Sequence, residues 1–429
     1  MSILRISWLP DGLYAPDSVG NLTVTRPYDR RSRKGRMEYF PASSSLSPRL
    51  VKQNAALAHY VTSVLKTEAR ELPESASANA PISIFVHGFQ FDPTTQVFDR
   101  PHHPEGDNPH SRLYHWKRFP EPTEIRAHST SWPLGFGYRE KDQGGNGLCV
   151  GFAWFSSPDF FGSIFDHGRN FYARAYGLAD EAALHLIAVI EVLARALPTH
   201  PINLICHSLG SRVVIRAIAK MAKDPAMNDP APGDQDLTKP EPAYRPRRPD
   251  LLQRLNKILL LAGAEKVMEA QLMMGRLNSY DSSAYKPHFY NFVSRENDVL
   301  DKLGENFSPD APGSKQVIGH NGLETIDPRW VDIQLDDPDT AAYFAEHGTV
   351  FDPQSKQLIP MQLNGDRKGV FAIADHWIHY TWRHNMALYR QIIREETSDW
   401  ALAELKHARW AGSDKVFDQQ KLLRRKSAD

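Results

Sequence analysis

Ile202-Asn203-Leu204-Ile205-Cys206-His207-Ser208-Leu209-Gly210-Ser211-Arg212, followed directly by Val213-Val214-Ile215-Arg216-Ala217-Ile218-Ala219, is the stretch from which the fold is read. An apolar run of strand length meets a serine among small and turn-forming residues, and the pattern then changes to helical spacing. The reading is strand, sharp turn, helix. Such a turn forces the serine into a strained backbone conformation, lifts its hydroxyl above the sheet and aims the next backbone N–H at the same point in space. Ser208 is therefore the candidate nucleophile. The usual form of the motif is Gly-x-Ser-x-Gly, and here Cys206, small but less permissive than glycine, stands at the first position. The plain alternative is a serine that merely caps a helix after a buried strand, so the rest of the chain has to decide.

At 429 residues the chain suits one large domain with insertions, or two domains. Its 51 basic and 51 acidic residues leave a formal net charge of zero, so no global field steers it toward nucleic acid or an anionic membrane. The early basic cluster Arg30, Arg31, Arg33, Lys34 and Arg36 reads as a solvated loop. The two cysteines, Cys149 and Cys206, form neither a disulfide framework nor a thiolate metal pattern, which fits a reducing compartment. Met1 to Trp8 lacks the basic and then apolar pattern of a secretory signal, and no run of about 18 apolar residues occurs. The expectation is a soluble, cytoplasmic protein.

Ile3 to Trp8 alternates apolar and polar residues and predicts a short edge strand, within an N-terminal extension (1–50) that also carries the basic loop. From Lys52 to Glu71, Leu57, Ala58, Val61, Val64 and Leu65 recur at helical spacing. Pro81 to Val86 predicts a buried strand ending in His87-Gly88-Phe89. There a glycine lets the backbone turn, making Phe89 N–H a candidate oxyanion donor with Leu209 N–H as its partner. A tight turn without a chemical role is the plain alternative.

From Gln90 to Gly147 a polar segment broken by seven prolines (Pro93, Pro101, Pro104, Pro109, Pro120, Pro122, Pro133) predicts an insertion that is a surface loop or a pocket wall. Its His102, His103, His110, His115 and His128, with Glu105 and Asp107, raise the question of a metal, but the spacings match no helical histidine pair and no thiolate zinc pattern. Val150 to Phe155 predicts a strand, and Leu178 to Leu197 a helix in which His185 reads as a core or boundary residue. A second excursion, 224–250, holds seven prolines and cannot bury a core. Lys257 to Gly263 and His288 to Ser294 predict further strands, and strands separated by helices imply a mainly parallel sheet with right-handed crossovers.

In such a sheet catalytic groups gather at the carboxyl ends of the strands. The strand ending near Ser294 runs into Arg295-Glu296-Asn297-Asp298-Val299-Leu300-Asp301, where Asp298 is the choice for a carboxylate that orients an imidazole, with Glu296 and Asp301 in competition. The plain reading of any one of them is an acid at a helix N-terminus. His376, at a loop-to-helix junction in Phe371 to Tyr380, is the candidate general base. His379 is the runner-up, and His320, in Gly319-His320-Asn321-Gly322, sits in a loop with no evident strand before it.

The set resembles the α/β-hydrolase fold, in which the nucleophile, the acid and the histidine follow in that order along the chain. Phe85-Val86-His87-Gly88-Phe89, Phe152-Ala153-Trp154-Phe155-Ser156-Ser157 and Cys206-His207-Ser208-Leu209-Gly210 are also similar to poorly characterised bacterial serine hydrolases of that superfamily, over about 81–394. The resemblance implies an α/β-hydrolase domain over 51–397, with a mainly parallel central sheet, flanking helices and the insertions 90–147 and 224–250, followed by a helical tail at 398–429. It implies a serine esterase that acts on a small-molecule ester through an acyl-enzyme on Ser208, His376 and Asp298, without metal or organic cofactor. An acyltransferase on the same triad and a non-catalytic binding module on the same scaffold are the competing expectations.

Overall fold

The computed structural model describes residues 3–9, 12–14, 80–89, 91–93, 108–115, 131–138, 147–156, 169–222, 248–279, 287–294, 297, 300, 316–323, 327, 329–335, 379–381 and 383–393. The predicted helix over 52–71, most of the excursion at 224–250, and the tail at 398–429 lie outside them.

The strands are β1 (Leu4–Leu9), β2 (Gly12–Tyr14), β3 (Ile82–Val86), β4 (Leu148–Trp154), β5 (Ile202–His207), β6 (Leu255–Leu261), β7 (His288–Val293) and β8 (Trp330–Gln334). They form one sheet in the order β2-β1-β4-β3-β5-β6-β7-β8. Every neighbouring pair is parallel except β1 with the three-residue β2. The mainly parallel sheet expected from the sequence is thus present, with one change at its margin. β1 is not the edge strand. It pairs with β4 on one side and β2 on the other, and Leu4, Ile6, Ser7 and Trp8 are buried. Parallel strands are covered on both faces, so Val, Ile, Leu and Phe fill them almost without alternation. β3 (ISIFV) and β4 (LCVGFAW) are buried along their whole length for that reason.

The helices are α1 (Pro109–Arg112), α2 (Trp132–Gly135), α3 (Arg169–Ala196), α4 (Gly210–Met221), α5 (Arg248–Arg254), α6 (Val267–Ser279), α7 (Ile318–Asn321) and α8 (Arg383–Ile393), with a 3-10 turn at His379–Thr381 before α8. On one face α3 packs on α4, α4 on α6, and α6 on α7. Successive strand residues point to opposite faces. Asn291 of β7 accordingly donates from Nδ2 to the Ile318 carbonyl of α7 (2.8 Å), while Phe292 meets Tyr389 of α8 on the other face, ring centroids 4.5 Å apart.

The segment read as a polar surface insertion supplies much of that second face. Leu113, Tyr114, Trp132, Phe136 and Tyr138 are buried, and the rings of Tyr114, Trp132, Phe136 and Tyr138 surround Phe85 of β3 at 5.3 to 6.3 Å. Pro109 and Pro133 start helices here. Asn108 caps α1 and Ser131 caps α2, each accepting a backbone N–H of the first turn, with a proline at one of the first two helical positions. His110 and His115, two of the five histidines of the metal question, are buried in this packing. His110 Nε2 lies 2.8 Å from Ser7 Oγ and His115 Nε2 3.2 Å from the Arg112 carbonyl. Among the described residues no group of three or more His, Cys, Asp or Glu could hold a metal ion, and no helix is long and apolar enough to cross a membrane.

Candidate active site

β5 runs into Ser208, whose φ is +52°, and α4 starts at Gly210. A non-glycine residue in the left-handed region stores strain that its surroundings must hold. Here the restraint is hydrogen bonding. Ser208 N–H donates to the Leu261 carbonyl of β6 (2.9 Å), and its carbonyl accepts from Ser211 N–H (3.0 Å), Ser211 Oγ (2.7 Å) and Ala264 N–H (3.1 Å). Cys206 is buried with Sγ 3.4 Å from the Leu259 carbonyl, packed as a small apolar residue.

Two glycines bring β3 against this turn. A Cβ on Gly210 would stand 2.4 Å from the His87 carbonyl oxygen and 2.5 Å from that of Val86. One on Gly88 would stand 2.8 Å from Ser208 Cβ and 3.0 Å from the His207 carbonyl oxygen. Any side chain at either position would push the two strand ends apart. The loop after β3 therefore lies directly beside Ser208, with Phe89 half-buried and its ring against Tyr172 of α3 (5.6 Å, edge to face). Leu209 is buried and stands at the cap of α4, so its N–H belongs to the first turn, where helical N–H groups have no partner within the helix.

His87 is fully buried. Its Nε2 accepts from Trp154 N–H (3.0 Å), which leaves the proton on Nδ1, and Nδ1 donates to the Gly88 carbonyl (2.9 Å). Burial lowers its pKa to about 3, against the smaller opposing effect of the Gly88 carbonyl, so the ring is neutral at physiological pH. The Trp154 ring stacks on it at 5.8 Å, with indole Nε1 donating to the His87 carbonyl (2.7 Å).

Behind Ser208 lies a charged cluster. Arg212, one turn along α4, sends Nη1 to both oxygens of the fully buried Glu265 (2.9 Å each), Nη2 to Asp180 (2.5 Å) and Nε to the Tyr176 carbonyl (2.8 Å). Tyr176 O–H donates to Glu265 (2.7 Å), and its ring lies 3.5 Å from the guanidinium carbon. Arg216, a turn further, reaches Asp180 (3.2 Å), Glu265 (3.5 Å) and Glu269 (2.9 Å). These contacts tie α4 to α3 and to the loop after β6 that carries Ala264. The sequence reading passed over this cluster, because Glu265 is separated from Arg212 by 53 residues.

Of the other residues singled out in the sequence, Asp298, Glu296, Asp301 and His376 lie outside the described residues. Their described neighbours converge on the turn. Asn297, buried, donates from Nδ2 to the Tyr380 hydroxyl (3.4 Å), and the Tyr380 ring meets that of His207 edge-on at 6.1 Å. His379 opens the 3-10 turn that contains Tyr380. His320 is not in an irregular loop. It lies buried on α7, whose Gly319 N–H donates to the Gly263 carbonyl (2.8 Å) and whose Gly319 carbonyl accepts from Ser294 N–H (3.1 Å).

The profile of a family described as alpha/beta hydrolase of unknown function (DUF900) matches residues 66–303, more than half of the chain and a span that includes β3 to β7 and the Ser208 turn. No curated protein matches the sequence.

Proposed function

The chain belongs to this alpha/beta-hydrolase family, and on that premise we propose that it is a serine hydrolase cleaving a carboxylic ester through an acyl-enzyme. The observation that carries the reading is the φ of +52° at Ser208, in a strand-turn-helix whose flank is occupied by the loop after β3. Strain of this kind at the carboxyl end of a central parallel strand is the placement a nucleophile needs. A serine that only capped α4 would accept a first-turn N–H with its side chain in extended backbone geometry. The α4 cap position is instead Leu209, in helical geometry and without a side-chain cap bond.

In the proposed reaction Ser208 Oγ gives its proton to His376 and adds to the ester carbonyl carbon. The oxyanion that forms is held by the Phe89 and Leu209 N–H groups, the second at a helix N-terminus. Collapse expels the alkoxide, which takes the proton back from His376. Water, deprotonated by the same histidine, then attacks the acyl-enzyme and releases the acid, while Asp298 fixes the imidazole tautomer. The contact between Asn297 and Tyr380, with Tyr380 on His207, supports this assignment because Asn297 adjoins Asp298 and Tyr380 lies four residues after His376.

The test is labelling by a fluorophosphonate probe with peptide mass mapping, on the wild-type protein, Ser208→Ala and His376→Ala. Modification at Ser208, absent in the first variant and slowed by orders of magnitude in the second, is the expected result. A folded wild-type protein that takes no label at Ser208 overturns the reading.

A further inference from the structure

The end of β4 and the two residues after it, Phe152-Ala153-Trp154-Phe155-Ser156, have no part in the proposed reaction. We infer that Trp154 and Ser156 are positioning residues for the oxyanion site: they hold the Gly88–Phe89 peptide so that the Phe89 N–H faces the Ser208 side. The inference rests on the serine-hydrolase reading and adds to it the residues that set the donor's direction.

Ser156 is fully buried two residues past β4. Its hydroxyl accepts from Phe91 N–H (2.9 Å) and lies 2.9 Å from the Gly88 carbonyl and 3.2 Å from that of Phe91. The Phe91 carbonyl already receives the Ser156 backbone N–H (3.0 Å), so the single hydroxyl proton goes to the nearer, Gly88. His87 Nδ1–H donates to the same Gly88 oxygen from 2.9 Å, and Trp154 holds that ring from two sides, by its backbone N–H on Nε2 and by its stacked indole. Two donors thus meet on one carbonyl.

A trans peptide keeps its N–H antiparallel to its C=O, and no described peptide bond is cis. Fixing the Gly88 oxygen toward His87 and Ser156 therefore turns the Phe89 N–H to the opposite side. Rotating this peptide would strand two buried donors at once. Hydrogen bonds to a carbonyl also polarise its amide and strengthen the N–H as a donor. Each effect matters most when negative charge develops on the substrate oxygen, so it belongs to the transition state more than to the bound ester.

The experiment compares wild type, Ser156→Ala and Ser156→Thr for hydrolysis of a p-nitrophenyl ester, for the rate of fluorophosphonate labelling at Ser208, and for inhibition by phenylboronic acid, whose serine adduct is tetrahedral and anionic. Ser156→Ala is expected to lower kcat and labelling by roughly 5- to 30-fold and to weaken the boronate equally, with KM within about twofold, since about one net hydrogen bond is lost. Ser156→Thr, which keeps the hydroxyl, should recover most of the loss. A folded Ser156→Ala protein with wild-type kcat and labelling overturns the inference while leaving the hydrolase reading in place. Absence of label on the wild-type protein overturns that reading itself. Where Ser156→Ala yields no folded protein, Ser156→Cys, which exchanges the hydroxyl for a weakly donating thiol at the Gly88 carbonyl, carries the same readout: a fall in kcat at constant KM supports the inference and an unchanged kcat overturns it.

Discussion

Two strand ends meet at the candidate site, and they are held in opposite ways. Behind Ser208, at the end of β5, stand buried charges: Arg212 on Glu265, with Asp180, Arg216 and Glu269 around them. Gly88, at the end of β3, is held by neutral groups: an imidazole kept uncharged by burial, an indole and a hydroxyl. The charged support joins two helices and a loop, and long side chains with strong, directional hydrogen bonds can span such a gap. The neutral support aims one peptide over a few ångströms. Dipoles fixed at the right angle stabilise a developing oxyanion without the cost of burying another charge beside it.

The comparison breaks most sharply where the two ends touch. Gly210→Ala would place a Cβ against two β3 carbonyl oxygens, and we expect a loss of roughly 3 kcal/mol or more in urea unfolding, together with loss of Ser208 labelling. On the charged side, Arg212→Met takes the two-pronged guanidinium contact from the buried Glu265 and leaves it the Tyr176 hydroxyl and the more distant Arg216. The expected cost is about 3 to 5 kcal/mol, and a double variant Arg212→Met with Glu265→Leu should regain much of it, because a buried carboxylate that has lost its closest positive charge is the source of the penalty. If the double variant is no more stable than the single one, the cluster is more than a matched pair.

On the neutral side the prediction concerns acid. His87 titrates near pH 3 in the fold and near its ordinary value of about 6.5 when unfolded. The unfolded chain then binds the extra proton between those limits, so stability is full above about pH 6.5 and is lost as pH falls toward 3. Burial lowers His185 to about 4 and moves His110 in the same direction, and both add to the slope. The melting temperature should fall steadily over that window, and the His87 imidazole nitrogens, followed by NMR, should show no titration above about pH 4. The smallest effect belongs to the rim of the charged cluster. Arg216→Ala removes partly exposed contacts with Glu269 and Asp180 and a longer one with Glu265, whose bidentate Arg212 partner stays, and should cost about 1 kcal/mol by the same unfolding measurement.

How much of this was legible follows from distance along the chain. β3, β5, β6 and β7 were readable because each is a compact apolar run, and the Ser208 turn because strand, small residues and helix are contiguous. In the insertion, expected to be a surface loop or a pocket wall, the described stretches 108–115 and 131–138 are instead packed on the sheet. Its prolines were counted as breakers, although Asn108-Pro109 and Ser131-Trp132-Pro133 are also the caps and first turns of helices. β8, Trp330–Gln334, was missed because two polar residues interrupt a five-residue strand. One of them, Asp332, is buried and accepts from Trp330 Nε1 (2.7 Å) and Asn291 Nδ2 (2.8 Å), partners that no local pattern announces.

The sequence by itself determined the elements around the turn and the order of the candidate nucleophile, acid and histidine. These depend on periodicity, backbone sterics and spacing, which act over a few residues. Only the tertiary structure decided that β1 lies inside the sheet, that Tyr114 and Trp132 cover Phe85, that Arg212 finds Glu265, and that Ser156 reaches Gly88. Each of these pairs joins residues tens of positions apart, and such a contact forms only when burying the shared surface outweighs the entropy of closing the loop between them.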